Sequence, residues 1–232
     1  MRWLTATLLA LCVGLVGCSG LFRSTAKPEQ IYYLRAPTAV PAAPPAATAA
    51  PPAATLSLRV VRPVADPGLD SAHIMLVQAD HRMNFFSGSR WPAPAPELLE
   101  SLAVQTLRAS GEWASVQDSA SPFPSDYLLQ IHVRRFEADY TGGGAAPVAQ
   151  VALDCTVGRR QGREVLATFT ASGSAAAPAN QLSQVVAAFE QATATALESL
   201  ARQSLQASRL DAERAAQSER QRDGQPPPAP DR

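Results

Sequence analysis

The chain has 232 residues with 20 acidic and 20 basic side chains, and a formal net charge of zero gives no electrostatic case for a nucleic-acid partner. Residues 36–54 are almost all Ala, Pro and Thr, and 218–232 are charged, Gln-rich and Pro-rich, so neither stretch builds a core. Removing them leaves roughly 150 residues, enough for one domain, and no window after the first 17 residues is long and apolar enough for a membrane-spanning helix.

Arg2 supplies a positive start, Leu4 to Val16 an apolar run, and Gly17 a small residue before Cys18. That order is a bacterial secretory signal, too short for an ordinary membrane span. Leu15-Val16-Gly17-Cys18 resembles the lipobox of bacterial lipoproteins. The resemblance implies that 1–17 is a lipoprotein signal peptide, cut before Cys18, whose sulfur and new amino group are then acylated. Cys12 is lost with the signal and Cys18 is used for lipid, so Cys155 stands alone and no disulfide forms within the mature chain. Two or more acyl chains, palmitate-like in length, hold a protein stably on a bilayer. In lipoproteins of the enteric type an Asp after the Cys favours the inner membrane; Ser19 stands here, so the expected location is the periplasmic face of the outer membrane, with the inner one as the alternative.

Residues 18–54 read as lipidated Cys, tether and Ala/Pro-rich tract. Ile31-Tyr32-Tyr33-Leu34 is a brief β-prone run. Either it docks into the sheet and the tract loops out, or the whole stretch to Ala54 is a tether. The domain proper is placed at 55–205, with 29–35 as a candidate addition. Leu56, Leu58 and Val60 alternate with Ser57, Arg59 and Val61 in a strand that ends at Pro63, and Asp66-Pro67-Gly68 is a turn. Residues 73–91 read as a hairpin of Ile74–Val77 and Met83–Phe86 with Arg90 and Trp91 at its end. Pro92 to Pro96 stops the strand and starts a helix of about 97–110 on the face Leu98, Leu99, Leu102, Thr106 and Ala109, with Gly111 at its C-terminal cap. A short strand at 113–116 follows, then three antiparallel strands at 126–138, 148–158 and 163–172, each alternating apolar with polar side chains. Leu182, Val185, Val186, Phe189, Thr193, Ala196, Leu197 and Leu200 form a single helical stripe with Asn180 as its N-cap. Residues 206–232 are read as a polar C-terminal extension, partly disordered. The order β-β-β-α-β-β-β-β-α specifies an α+β fold: an antiparallel or mixed sheet with two helices packed on one face, the C-terminal one long.

The same residues offer little chemistry. His73, His81 and His132 are the three histidines, and none lies within four residues of a Cys or another His, so no metal-ligand spacing occurs. No Gly-x-Ser-x-Gly elbow exists, and Gly142-Gly143-Gly144 lacks the Lys and helix that phosphate binding needs. Cys155 falls in the apolar set of its strand and reads as a buried, inert thiol. No catalytic residue, metal or cofactor is expected. The informative cluster is Phe85, Phe86, Arg90 and Trp91 with Tyr127 and Tyr140. Most of these fill the sheet–helix interface; Phe86, Arg90 and Trp91 are the candidates for contact with a partner.

In this order, the lipobox, Tyr32-Tyr33-Leu34, Leu58-Arg59-Val60, Gly68-Leu69-Asp70-Ser71, Ser89-Arg90-Trp91, the Leu-rich helix to Leu107, Asp126-Tyr127-Leu128-Leu129, Phe136-Glu137-Ala138 and Val186-Ala187-Ala188-Phe189-Glu190-Gln191-Ala192 make the chain resemble the ABC-type transport auxiliary lipoproteins, the PqiC type, from about Glu29 to Arg202. The Ala/Pro tract before the first long strand and the tail after Arg202 depart from that pattern. The resemblance implies a non-catalytic accessory of an ABC transporter and an MCE-domain protein, fixing a lipid conduit to a membrane and helping to pass phospholipid or similar apolar molecules. Homo-oligomers are left open. The competing reading is an outer-membrane lipoprotein for envelope assembly or cell-wall binding, unrelated to transport.

Overall fold

The computed structural model describes residues 29–37 and 55–223. In chain order its elements are β1 (Gln30–Ile31), β2 (Ser57–Val60), β3 (Val64–Ala65), β4 (His73–Val77), β5 (Met83–Arg90), α1 (Ala95–Ala109), β6 (Ser115–Gln117), β7 (Tyr127–Asp139), β8 (Val148–Arg159), β9 (Glu164–Ala176) and α2 (Leu182–Asp223). The strands form one mixed sheet of nine.

The sheet is organised about β7. Tyr127, Leu129, Ile131 and Val133 alternate with more exposed residues and are all buried, as a strand with one covered face requires. One edge of β7 pairs antiparallel with β8 along its length, and β8 pairs antiparallel with β9. The other edge takes three short parallel strands in succession: β2 opposite Tyr127–Leu129, β3 opposite His132–Val133 and β4 opposite Glu137–Asp139. Beyond them lie β6 on β2, and β5 then β1 outside β4. Pro63 separates β2 from β3. The turn expected at Asp66-Pro67-Gly68 separates β3 from β4, with the Leu69 N–H donating to the Asp66 carbonyl at 3.0 Å and Gly68 at φ 91°. The two-residue strand β3 has no counterpart among the sequence expectations.

A register shift between Val133 and Arg135 inserts one extra residue into β7. The bulge reverses which residues point inward, so Phe136 and Ala138 join the core while Arg135, Glu137 and Asp139 face out. The outer face is polar: Asp66 receives His132 Nε2 at 2.9 Å and Arg134 at 3.4 Å, and Asp154 accepts from Thr170 at 2.8 Å.

Both helices cover the opposite face. α1 starts at Pro94, carries Pro96 and Glu97 in its first turn, and ends with Gly111 at φ 67°. Its buried side runs through Leu98, Leu99, Leu102, Ala103, Thr106 and Leu107; Ala109, expected on that face, is exposed. α2 packs across β7, β8 and β9 and touches α1. Asn180 does not cap it: the Asn180 side chain instead accepts the Tyr140 hydroxyl at 2.7 Å, and the Gln181 carbonyl receives the first helical N–H groups.

Of the two placements left open for Ile31 to Leu34, the docked one is adopted. β1 lies parallel to β5, the Tyr32 N–H donates to the Arg90 carbonyl at 3.0 Å, and Leu34 is buried. At the other end, α2 passes residue 205 without a break and keeps Ser204, Ser208 and Asp211 buried. The packed part of the domain therefore reaches Asp211, six residues beyond the expected boundary at 205. What holds it is an ion pair. Arg159 grips Asp211 with two nitrogens, the Nε bond measuring 3.0 Å, and the buried Tyr127 hydroxyl donates to the same carboxylate at 3.1 Å.

Hydrogen bonding from Arg159 holds the Asp211 carboxyl below the usual carboxylate range; burial opposes this, and the Tyr127 hydroxyl adds to it. A carboxyl with a depressed folded pKa contributes stability above its unfolded value, roughly 4, and loses it as pH falls through the folded value. Asp211→Asn is thus expected to cost about 1–3 kcal/mol at neutral pH, and the gap from wild type should close below about pH 4. Urea melts of both proteins at pH 7 and pH 3 check this; a gap independent of pH would mean the carboxylate charge contributes nothing.

Candidate interaction site

The residues singled out for partner contact meet where β5 runs into α1, and the structure divides them. His73 faces Arg90 while Met75 faces Phe85, so Phe86–Ser89 stand opposite Ile74 alone. This irregularity, with Gly88 at φ 68°, tilts Phe86 half into the core and brings Phe85 over His73, ring centroids 4.3 Å apart and nearly parallel. Across the sheet, Ile31 faces Arg90 and Arg90 faces His73. Cross-strand partners share a face, so Ile31, Arg90 and His73 form a row on the outer side, with Phe85 stacked at its end. Ile31 is 46% exposed and Phe85 45%. Arg90 Nε lies 3.0 Å from a Glu29 carboxylate oxygen, tying the row to the segment that leads in from the N-terminus.

Trp91 does not belong to this surface. It is fully buried, its backbone N–H donates to the Ala72 carbonyl at 2.7 Å, and its ring packs against Phe136 and Phe189 at 5.6 and 5.3 Å. The strand reverses into α1 at this point, so the residue after Arg90 turns inward to join the core. As a contact residue Trp91 is corrected to a core residue; Phe86 is half-buried, and Arg90 alone of the three lies on the outer row. Sequence reasoning missed Ile31 and His73 as its neighbours, because the pairing of β1 with β5 spans nearly sixty residues and leaves no periodic trace.

The remaining candidates are occupied structurally. Burial pushes the Cys155 thiol up to about 12, which keeps it protonated and unreactive. Burial, then the nearby Asp211 charge, pushes Tyr127 up to about 12, so its hydroxyl serves as a donor. His81 sits exposed in a turn at φ 61°, and His132 is bonded to Asp66 on the outer face. Among the described residues no three His, Cys, Asp or Glu side chains gather in a way that would hold a metal ion, and no helix is long and apolar enough to cross a membrane. Cys18 lies outside the described residues. What the outer row offers is two exposed apolar side chains, Ile31 and Phe85, flanking the His73 imidazole and a guanidinium paired with Glu29.

The model of the ABC-type transport auxiliary lipoprotein component matches residues 39–201. The chain belongs to that family. This auxiliary lipoprotein is similar to the crystal structure of protein XCC0632 from Xanthomonas campestris at 28% identity, covering 79% of this chain and 99% of that one with a TM-score of 0.66. It also shares its fold with a crystal structure of an uncharacterised protein at 15% identity, covering 76% and 99% of the two chains with a TM-score of 0.54. No curated protein matches it by sequence. As a member of the family, the auxiliary lipoprotein is a membrane-anchored protein of the cell envelope that accompanies an ABC-type transporter.

Proposed function

We propose that this auxiliary lipoprotein is the non-catalytic docking component of an ABC-type lipid transport system. It is held by acylated Cys18 at the periplasmic face of the outer membrane and binds an MCE-domain protein that conducts phospholipid or a similar apolar molecule. The family match over 39–201 carries the reading. The fold supports it in one further respect. Only eleven residues separate Cys18 from β1, a reach of at most about 40 Å, so the row Ile31–Arg90–His73–Phe85 stays near the anchor. Energy comes from the transporter's ATPase; this chain positions and holds.

The test is co-purification of the lipoprotein with an MCE-domain protein from detergent-solubilised membranes. Wild type is expected to retain the partner, and Arg90→Glu to weaken retention at least about tenfold while melting close to wild type, because Arg90 is 41% exposed at its side chain. Repeated absence of the partner from anchored wild-type protein would count decisively against the reading. The anchor has its own check: mass spectrometry of the mature protein should find Cys18 acylated at the N-terminus, and Cys18→Ser should release the domain from membranes. An unmodified start beyond Cys18 would end the lipobox assignment.

A further inference from the structure

α1 carries a buried carboxylate that no cation meets. Glu100 is 9% exposed, and acids buried to this degree are ordinarily paired with a positive charge. One of its oxygens takes the Ser119 backbone N–H at 2.8 Å. The other receives no hydrogen bond among the described residues, yet it is not sealed from solvent. Arg108, about two turns further along α1, is directed elsewhere: its Nε donates to the Val116 carbonyl at 2.9 Å.

Glu100 lines a cavity of about 490 Å³, a size within the roughly 300–1,000 Å³ range of small-molecule sites. Four other charged side chains line it: Glu97 and Arg108 from α1, Arg62 from the connection between β2 and β3, and Asp118 just after β6. Opposite charges on one rim ordinarily draw together, but none of these five forms an ion pair among the described residues. Arg62 makes no hydrogen bond there either, and the two terminal nitrogens of Arg108 are unengaged. The carboxylates do not gather in a way that would hold a metal ion. The cavity thus keeps guanidinium groups and carboxylates apart, each with at least one polar atom left for an opposite charge from outside.

We propose that this cavity binds phosphoethanolamine, as a free molecule or as the headgroup of a phospholipid, with the ammonium on Glu100 and the phosphate on Arg62 and Arg108. A primary ammonium brings N–H donors to the open Glu100 oxygen, and Glu97 and Asp118 favour its charge. Guanidinium groups are planar forks that match phosphate oxygens. A trimethylated ammonium has no N–H to offer the carboxylate, and an anion alone leaves Glu100 unmet. The lining therefore selects the ammonium–phosphate zwitterion over phosphocholine and over inorganic phosphate. The site lies with α1 on the covered side of the sheet, apart from the row Ile31–Arg90–His73–Phe85 on the outer side. Only the lipid source of the ligand rests on the transport reading; the site does not.

Phosphoethanolamine is titrated calorimetrically into the full mature chain in detergent. It is expected to bind at least about tenfold tighter than phosphocholine or inorganic phosphate. Glu100→Gln keeps an oxygen for the Ser119 N–H and should melt near wild type. It should bring phosphoethanolamine down to the phosphocholine level and leave phosphocholine binding unchanged, a loss of preference that damage to the fold cannot produce. Arg62→Ala, at an exposed position, should weaken all three phosphate ligands. No binding of phosphoethanolamine, or a preference that survives Glu100→Gln, overturns the proposal. Phosphatidylethanolamine added to the micelles displaces the free ligand where the source is a lipid headgroup and leaves it bound where the source is soluble, with phosphatidylcholine as the control. Both results keep the site, and neither depends on retention of an MCE-domain protein, which co-purification reads separately.

Discussion

Gly173→Val is expected to abolish folding of the domain, and Gly173→Ala to cost about 3 kcal/mol, the upper end of what overpacking does, or roughly 6–12 °C in melting temperature. A Cβ at this position would stand 2.1 Å from the Ala192 carbonyl oxygen and 3.0 Å from the Ala196 nitrogen. Both are backbone atoms of α2, so no rotamer change relieves the contact; the helix itself has to move. The backbone at Gly173 is ordinary, without a positive φ, which makes the requirement steric rather than conformational. Its neighbours on the covered face of β9 are Ala171 and Ala175, and those on α2 are Ala188, Ala192 and Ala196, all buried. Small residues on both sides let strand and helix approach until only hydrogen fits between them. Gly142→Ala is the control, since a Cβ there meets nothing within 4 Å. A Gly173→Ala protein melting with the Gly142→Ala control would refute the close approach.

Where one periodicity ran long enough, the fold was legible in advance. Alternation in 126–134 and 148–158 and the stripe from Leu182 to Leu200 each report which side of an element is covered, and those elements stand as expected. Periodicity does not report which neighbour a strand meets. The parallel placement of β2, β3 and β4 along one edge of β7, and of β1 on β5, is therefore invisible in the chain. β3 has two residues and no period to read. Buried polar groups mislead in a second way. Ser204, Ser208 and Asp211 look like solvent-facing positions in a hydropathy pattern, yet all three are buried, and the charge of Asp211 is met there by Arg159 on β8. For the candidate site, the chain offers Phe86, Arg90 and Trp91 together but not their division, since adjacent positions place Arg90 on the outer row and Trp91 in the core.

That division makes Trp91→Ala the second decisive substitution. Trp91, Phe136 and Phe189 bring together the end of β5, the inward part of β7 beyond its bulge, and the first turns of α2, with Phe136 and Phe189 centroids 5.2 Å apart. All three rings are among the largest fully buried side chains. Deleting the indole removes the wedge common to three elements, and the cost expected is about 3–5 kcal/mol, or roughly 6–20 °C in melting temperature. Trp91→Phe should cost less than half of that. It keeps an aromatic ring between Phe136 and Phe189 and removes an indole N–H that is buried without a hydrogen-bond partner. A double-mutant cycle between Trp91 and Phe189 should show coupling of about 0.5–1.5 kcal/mol beyond area burial, because their edge-to-face contact is lost with either ring. Well below its melting point, Trp91→Ala should still retain the transport partner, whereas Arg90→Glu, one residue away, should melt normally and release it. The opposite pairing of results would place the indole at the interface and the guanidinium in a structural role, which a side chain buried between two phenylalanines and another lying on an exposed row do not permit.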